Sequence, residues 1–185
     1  MASVKSQLRD CSWKKTGFLV STDPNLVPVS TLVDIFASGA LYWAKPLPSE
    51  AMQEILENSL VFGLYEQLAP GESAIPSSEL KVIGLARCVT DYTTFSYLTD
   101  VWISPEYQGK GLGRWLIGCI RETFENLPHM RRSILFTGDW ERSVPFYEKF
   151  LDMTLVETKH GEGLALMESK GKGHPAYGLE GNGYN

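Results

Sequence analysis

The sequence predicts a mixed α/β fold built on one sheet, and two features of the element order carry this prediction. Three apolar segments rich in β-branched and aromatic residues follow one another at residues 59–66, 80–91 and 94–104. A loop rich in Gly, Pro and Ser separates the first two, as is typical of an antiparallel hairpin. A strand, a helix and another strand follow later, an order typical of a parallel pair. Both kinds of pairing are therefore expected in a single sheet.

The segments before the central strands are predicted to be one strand and two helices. Residues 17–21, GFLVS, form a short apolar run that an Asp-Pro pair ends, which indicates a strand and a turn. Ser30 is a candidate N-cap for a helix whose apolar residues recur at helical spacing as far as Ala40. Two prolines in YWAKPLP end that helix, and Ser49 begins a second one.

The segments after the central strands are predicted to be a helix, a strand, a short helix and a final strand pair. The long helix begins near Leu112 and ends before Pro128, and the strand RSILFTG follows. SVPFYEKF is the short helix, and MTLVET and GLALMES are the strand pair, with KHGEG as their turn. Residues 1–12 are expected to form a flexible arm and residues 170–185 a disordered Gly-rich tail, which leaves 13–169 as one domain.

Charge and hydropathy argue against several classes of function. The chain of 185 residues carries a formal net charge of −5. Nucleic-acid-binding surfaces usually have clustered Lys and Arg, so no nucleic-acid partner is expected. No run of about 18 apolar residues is present and the N-terminus lacks an apolar signal core, so no membrane association is expected. A cytoplasmic location is predicted, with the nucleus as an alternative.

The cysteines and histidines indicate neither disulfides nor a metal site. Cys11, Cys88 and Cys119 are far apart in the sequence and odd in number, so they are expected to be free, buried thiols. The three histidines are scattered over predicted loops without the spacing of metal ligands. No metal is therefore expected.

The segment SPEYQGKGLGRW, residues 104–115, has three glycines where a strand is predicted to pass into a helix. A helix N-terminus exposes unpaired N–H groups and the positive end of the helix dipole, and both favour phosphate. Glycine allows close approach of the backbone to an anion and turns that other residues avoid. QGKGLG is therefore a candidate diphosphate-binding loop, and Lys110 adds a positive charge.

The glycine spacing separates this loop from two well-known phosphate loops. A P-loop needs GxxxxGK followed by Ser or Thr, and a dinucleotide-binding loop needs GxGxxG. Gly109, Gly111 and Gly113 give GxGxG instead. A third pattern, Gln/Arg-x-x-Gly-x-Gly/Ala, is matched by Gln108, Gly111 and Gly113. A glycine-rich turn without a ligand is the alternative.

At this segment the sequence resembles the GCN5-related N-acetyltransferases (GNAT). DVWISPEYQGKGLGRWLI is similar to their acetyl-CoA-binding segment, and the element order is similar over residues 17–168. STDP, YWAKPLP, ENSLVFGLYE and DYTTFSYLTDVW resemble segments of a bacterial and fungal subgroup of small acetyltransferases. The resemblance implies the GNAT fold, with a mixed and mostly antiparallel sheet of about six to seven strands, a splayed strand pair and about four flanking helices.

The resemblance also implies where acetyl-CoA binds. In the family, the strand before the loop splays from its neighbour and pairs with the pantetheine amides like an extra strand. This role falls on Val101 and Ile103, with Trp102 between them. The loop residues implied to bind the pyrophosphate are Gln108, Gly109, Lys110, Gly111, Leu112, Gly113 and Arg114.

The chemistry implied by the resemblance is direct transfer of the acetyl group to an amine. A neutral amine attacks the thioester carbonyl, and a backbone N–H stabilises the oxyanion. A tyrosine in the later helix often protonates the leaving thiolate in such enzymes, and Tyr147 in VPFYEKF matches that position. A packing role for this aromatic residue is the alternative. The family often has an asparagine seven residues earlier, where this sequence has Trp140.

The sequence leaves the base that accepts the amine proton undecided. Asp100 is acidic and adjoins the strand implied to bind the cofactor, so it is a candidate catalytic residue. Strand alternation places it out of phase with Val101 and Ile103, so ordering the substrate or a loop is its alternative role. Asp91, Glu66 and a water relay are other candidates.

Aromatic residues are candidates for the acceptor site. Tyr42, Trp43 and Tyr97 can line a pocket, since aromatic walls suit apolar and cationic groups, or can equally belong to the core. The function implied is acetylation of a primary amine of a small molecule by a monomer or homodimer. A catalytically silent acyl-CoA-binding module and an acetyltransferase acting on protein lysine are the alternatives.

Overall fold

A computed structural model describes residues 2–41, 43–44, 46–68, 80–157, 161, 165–172 and 177–179. The chain divides into two compact units, Met1–Cys88 with Asp100–Leu116, and Val89–Thr99 with Ile117–Asn185. Most of the turn predicted at KHGEG and most of the predicted tail lie outside the described residues.

The described residues form five α-helices and eight strands. The helices are α1 (Val4–Leu8), α2 (Val29–Ala37), α3 (Ser49–Asn58), α4 (Leu112–Glu125) and α5 (Ser143–Leu151). The strands are β1 (Ser12–Lys15), β2 (Phe18–Ser21), β3 (Leu60–Gln67), β4 (Leu80–Thr90), β5 (Phe95–Ile103), β6 (Arg132–Thr137), β7 (Thr154–Glu157) and β8 (Ala165–Lys170). They form one sheet in the order β1-β2-β3-β4-β5-β6-β8-β7.

The pairing of the strands confirms the mixed, mostly antiparallel sheet. The pairs of β1 with β2, β2 with β3, β3 with β4, β6 with β8 and β7 with β8 are antiparallel, whereas β5 and β6 are parallel. The parallel register joins Phe95 to Arg132 and Tyr97 to Ile134, while β6 continues to Thr137 and β5 to Ile103. The parallel register therefore ends at Tyr97, before either strand does.

The N-terminal segment, which the sequence predicts to be a flexible arm over residues 1–12, contains a short helix and contacts other elements. Helix α1 and the start of β1 lie within it, and the Cys11 N–H donates to the Thr22 hydroxyl at 2.9 Å. The Arg9 guanidinium donates to the carbonyls of Leu56 and Glu57 at 2.6 and 2.7 Å. A cation at the last carbonyls of a helix is favourable because it opposes the negative end of the helix dipole. The segment is therefore held against the end of α3.

The core of the first unit lies where α2 and α3 pack on the sheet. Leu32, Ile35 and Phe36 of α2 and Met52 and Leu56 of α3 belong to one buried cluster, which also includes side chains from β2, β3 and β4. Helix α3 begins at Ser49, as predicted, whereas α2 begins at Val29 after a Pro28 N-cap without a side-chain cap bond. Ser30 is therefore inside the helix, and the prediction that it caps α2 was wrong.

Tyr65 lies in this core with a hydroxyl that has no hydrogen-bond partner among the described residues. Its side chain is 0% exposed, and burial raises the pKa of its phenol. An unpaired buried hydroxyl costs about 1–3 kcal/mol of desolvation. We expect Tyr65→Phe to leave the free energy of unfolding unchanged or to raise it by about 1 kcal/mol, measured by urea denaturation. A loss of about 1 kcal/mol or more would mean that the hydroxyl has a partner, such as a buried water.

The second unit contains β6, β7, β8, α5 and most of α4. Ile117 and Ile120 of α4, Leu135 of β6 and Met167 of β8 are fully or almost fully buried. Burial and the nearby Glu122 carboxylate raise the pKa of the Cys119 thiol to about 12, so this cysteine is a protonated core residue. Among the described helices, none has the length and apolar character needed to span a membrane.

Candidate active site

The glycine loop joins β5 to α4 through a short 3-10 turn, Pro105–Tyr107. Gly109 and Gly111 have φ angles of 76° and 77°, in the left-handed region. Other residues occupy this region at a cost of about 1–2 kcal/mol, so the turns explain why glycine stands at both positions. A Cβ atom added at either would meet no atom within 4 Å. The loop is therefore open on the side where these side chains would otherwise lie.

Gly113 differs from the two glycines before it. It lies in the first turn of α4 without a positive φ, and an added Cβ would lie 3.6 Å from Ile103 Cγ1. This is an ordinary van der Waals contact, so the fold itself accepts an alanine here. The third position of the loop pattern, Gly or Ala, agrees with that geometry.

The remaining loop residues connect the loop to the strand before it. The Gln108 side-chain amide donates to the Ile103 carbonyl at 3.0 Å, so this side chain acts on the end of β5. The Ser104 N–H donates to the Ile83 carbonyl of β4 at 2.8 Å. The Lys110 ammonium lies 4.7 Å from the centre of the Tyr107 ring. The other residues predicted to bind the cofactor differ in burial. Val101, Trp102 and Ile103 are half-buried, Leu112 is buried and Arg114 is exposed.

Asp100 occupies an unusual position in β5. Its φ is 52°, a conformation that Asp tolerates better than most residues, and it is 3% exposed. One carboxylate oxygen accepts from Arg87 Nε at 2.6 Å, and the other accepts from the Trp43 indole N–H at 3.1 Å. Arg87 also donates to the Ser59 hydroxyl at 3.1 Å. The structure thus joins two predicted site residues, Asp100 and Trp43, through one carboxylate.

Sequence reasoning missed Arg87 and Ser59. The signal for Arg87 was present, because it is the charged residue in VIGLARCV, an otherwise apolar stretch of β4. A charge at such a position is rarely buried without a partner. The partner could not be named from the sequence, because several carboxylates were available.

The two other candidate bases, Asp91 and Glu66, also accept hydrogen bonds from other residues. Burial alone would raise the pKa of Asp91, but hydrogen bonds from the Thr94 hydroxyl and from the N–H groups of Thr93, Thr94 and Phe95 hold that pKa well below its usual range. Asp91 is therefore an ionised turn residue. Glu66 accepts a hydrogen bond from the Tyr107 hydroxyl at 2.6 Å.

The second unit contains Tyr147 and Tyr97. Tyr147 lies on α5, is half-buried and meets the Phe146 ring edge-on at 5.2 Å. Burial raises the pKa of its phenol, so Tyr147 is a neutral hydroxyl at physiological pH. Tyr97 lies on β5 and meets the Phe136 ring edge-on at 5.6 Å. Trp140 is half-buried.

The remaining predictions for the site concern the acceptor aromatics and metals. Trp43 is 49% exposed although its indole N–H is bonded to Asp100. Tyr42 lies outside the described residues. In the described part of the chain, no group of three or more His, Cys, Asp or Glu residues is arranged to hold a metal ion.

Comparison with known proteins identifies the family. Residues 39–153 match the model of the acetyltransferase (GNAT) family. A candidate acetyltransferase of Gibberella zeae is 36% identical over 172 residues, which cover 88% of this chain and 96% of that protein. The chain therefore belongs to the GNAT family, as the glycine loop indicated, and it is an N-acetyltransferase of the acyltransferase class.

Two further comparisons give a relative that is named for its activity and a solved structure. Thialysine N-epsilon-acetyltransferase of Bos taurus is 31% identical over 116 residues, which cover 56% of this chain and 64% of that protein. The crystal structure of a candidate GNAT acetyltransferase of Xanthomonas campestris pv. campestris matches with a TM-score of 0.56 and 26% identity. That match covers 78% of this chain and 94% of the other. Binding of acetyl-CoA is a property of the family.

Proposed function

We propose that this chain transfers the acetyl group of acetyl-CoA to a primary amine of a small molecule. The observation that carries the proposal is the connection of β5 to α4 by a loop whose left-handed Gly109 and Gly111 leave the space in front of them open. A diphosphate fits such a loop because the first N–H groups of an α-helix have no partner within the helix, and because no side chain projects from the two glycines. Lys110 and Arg114 add positive charge.

The backbone of β5 supports a place for the pantetheine arm. Its parallel register with β6 ends at Tyr97, and the strand continues to Ile103. Strand backbone beyond a register can pair with an added extended chain. We therefore place the pantetheine amides along Val101 to Ile103, with the Ile103 carbonyl already accepting from Gln108.

The acetyl transfer requires one proton to leave the amine and one to reach the sulfur. Acetyl-CoA supplies the activated acetyl thioester. The amine nitrogen forms a bond to the carbonyl carbon, the C–S bond breaks, and the thiolate is protonated. Because Tyr147 keeps its proton at neutral pH, it is suited to donate that proton. We assign it the role of general acid.

The contacts of Asp100 support the second of its two predicted roles, which is to order the substrate or a loop. Both of its oxygens accept hydrogen bonds, from Arg87 and from Trp43, and the side chain is buried. A carboxylate whose two oxygens both accept hydrogen bonds is fixed in place and in turn fixes the side chains that donate to it. We propose that Asp100 orders Trp43 and that the amine loses its proton through water.

A small acceptor is supported by the exposed aromatic side chain and by one relative. Trp43 presents an aromatic face that suits a cationic or alkyl amine, and Tyr97 is proposed for the same role, as is Tyr42 from the sequence. The Bos taurus relative is named for thialysine, a small molecule. We infer that the acceptor is an amine on a short alkyl chain.

Incubation with acetyl-CoA and a panel of amines tests the function. Release of free thiol with lysine analogues or other alkyl amines is expected, together with a rise in melting temperature on adding acetyl-CoA. Tight CoA binding without turnover on any amine would favour a silent binding module. Labelling of lysines in a basic peptide, with no small-amine activity, would identify a protein acetyltransferase instead.

Trp43→Phe tests the ordering of the acceptor site. The variant keeps an aromatic ring but removes the N–H that binds Asp100. Since one hydrogen bond is worth about 1 kcal/mol, we expect the KM for the amine to rise about fivefold while the KM for acetyl-CoA stays constant. Trp13→Phe on β1, where Trp13 stacks on Phe62 at 6.0 Å, is the matched control. A rise in the acetyl-CoA KM instead would place Trp43 at the cofactor.

A further inference from the structure

The Tyr107 side chain joins the glycine loop to strands β3 and β4. It is 8% exposed, although Glu106 and Gln108 on either side of it are exposed. Its hydroxyl donates to a carboxylate oxygen of Glu66 at 2.6 Å and accepts from the Lys81 ammonium at 3.4 Å. A tyrosine in a surface loop that is buried and bonded in this way holds the loop at one point.

The two partners of Tyr107 are presented by neighbouring strands. Glu66 on β3 and Lys81 on β4 are directly opposite each other in the antiparallel register. Opposite charges in such a pair attract across the strands, which favours the placement of both side chains on the same side of the sheet. The Tyr107 hydroxyl is bonded to both and completes a chain of hydrogen bonds from the ammonium through the phenol to the carboxylate.

Tyr107 and Lys81 both keep their protons in this arrangement. The hydrogen bond to Glu66 raises the pKa of the Tyr107 phenol, so the hydroxyl keeps the proton that it donates. The hydrogen bond to Tyr107 raises the pKa of Lys81, so the ammonium keeps its charge. Lys81 and Lys110 also lie 5.3 and 4.7 Å from the centre of the Tyr107 ring, within the range of a cation–π contact.

The glycines after Tyr107 explain why ordering the loop at Tyr107 favours ligand binding. Gly109 and Gly111 both need left-handed φ angles, and glycine by itself selects these angles no more than their mirror images. A loop with such residues loses conformational entropy when it orders around a ligand, and a loop ordered beforehand loses less. An anchor two residues before Gly109 therefore reduces the entropy lost on binding.

We propose that Tyr107, held by Glu66 and Lys81, is a positioning residue that preorders the glycine loop for the phosphates of acetyl-CoA. The inference rests on the proposed function, because it takes the loop to be the phosphate site. Tyr107 touches no reacting atom in this proposal. Its effect is on cofactor affinity and not on the rate of acetyl transfer.

Tyr107→Phe tests the proposal, because the variant keeps the ring and removes only the hydroxyl. We expect the Kd for CoA, measured by titration calorimetry well below the melting temperature, to rise about tenfold, as for a lost hydrogen bond to a charged group. The kcat at saturating acetyl-CoA should stay within about twofold. The matched control is Tyr65→Phe. Tyr65 precedes Glu66 in β3 and its hydroxyl has no hydrogen-bond partner among the described residues, so this variant should leave the Kd for CoA unchanged.

Variants of Glu66 test whether the anchor acts through this contact. Glu66→Ala should weaken CoA binding as Tyr107→Phe does, and the double variant should be no weaker than either single one. Glu66→Gln retains an oxygen that accepts from the hydroxyl, so it should recover part of the affinity.

Several outcomes would overturn the proposal. A lower melting temperature with an unchanged Kd would show that Tyr107 only stabilises the fold. A fall in kcat as large as the rise in Kd would also contradict it. Additive losses of CoA affinity in the double variant would do the same. Absence of CoA binding by the unmodified protein would remove the proposed function as well, whereas normal binding by both the unmodified protein and Tyr107→Phe would remove this inference alone.

Discussion

Tyr147→Phe is expected to lower kcat about 100-fold and to change the KM for acetyl-CoA little, since a positioned general acid typically contributes 10²–10⁴-fold. The substitution removes only the hydroxyl. The ring and its edge-on contact with Phe146 remain, so α5 should keep its packing. The loss should appear in the step in which the thiolate leaves.

The pKa of Tyr147 gives this expectation a second readout. Burial raises the pKa of the phenol, so the hydroxyl stays protonated through the neutral and mildly alkaline range. Its titration should therefore not limit the rate below about pH 10, the ordinary pKa of tyrosine. Any fall in rate at lower pH is therefore due to the titration of another group. The pH profile of kcat for Tyr147→Phe should have the same shape as that of the unmodified protein, with lower values throughout.

Steady-state kinetics of Tyr147→Phe and of the control Tyr65→Phe make the measurement. Both variants remove one buried or half-buried phenol hydroxyl, and only Tyr147 has a proposed role in the reaction. Equal losses of kcat and of acetyl-CoA affinity in Tyr147→Phe would mean that the side chain acts through packing.

Gly111→Glu is expected to weaken acetyl-CoA binding at least about 100-fold, or about 2.7 kcal/mol. The new side chain would enter the open space before the loop, and its carboxylate would repel a diphosphate. A smaller part of the effect comes from the φ of 77°, because a residue with a side chain pays about 1–2 kcal/mol in this region.

Gly161→Glu separates the two parts of that effect. Gly161 lies between β7 and β8, has a φ of 81°, and an added Cβ would likewise meet no atom within 4 Å. The control therefore carries comparable backbone strain and the same charge in the second compact unit, which does not contain the glycine loop. Calorimetric titration with CoA should show a large loss for Gly111→Glu and none for Gly161→Glu. Unchanged affinity in Gly111→Glu would refute the phosphate site.

Most of the secondary structure could be predicted because its signals are local. Apolar periodicity placed α3, α4, α5 and seven of the strands, from β2 to β8. Strand β1, with the sequence SWKK, was missed because three of its four side chains are exposed and it offers no alternating pattern. It forms because β2 presents an edge, and its register with Ser21 is a tertiary property.

The sequence by itself determined the family and the candidate phosphate loop. Both depend on a contiguous segment, in which Gln108, Gly111 and Gly113 follow an apolar strand and begin a helix. Phosphate binding by such a loop depends on backbone N–H groups and glycine conformations. Both are set by the residues of the loop itself.

Only the tertiary structure decided how the candidate side chains are used. Asp100 is bonded to Arg87, 13 residues away, and to Trp43, 57 residues away. Tyr107 meets Glu66 across 41 residues and Lys81 across 26. Charges and hydroxyls find partners by proximity in space, and a sequence with many acidic and basic residues permits many pairings. The register of the strands and the left-handed backbone conformation at Asp100 in β5 determine which of these pairings form.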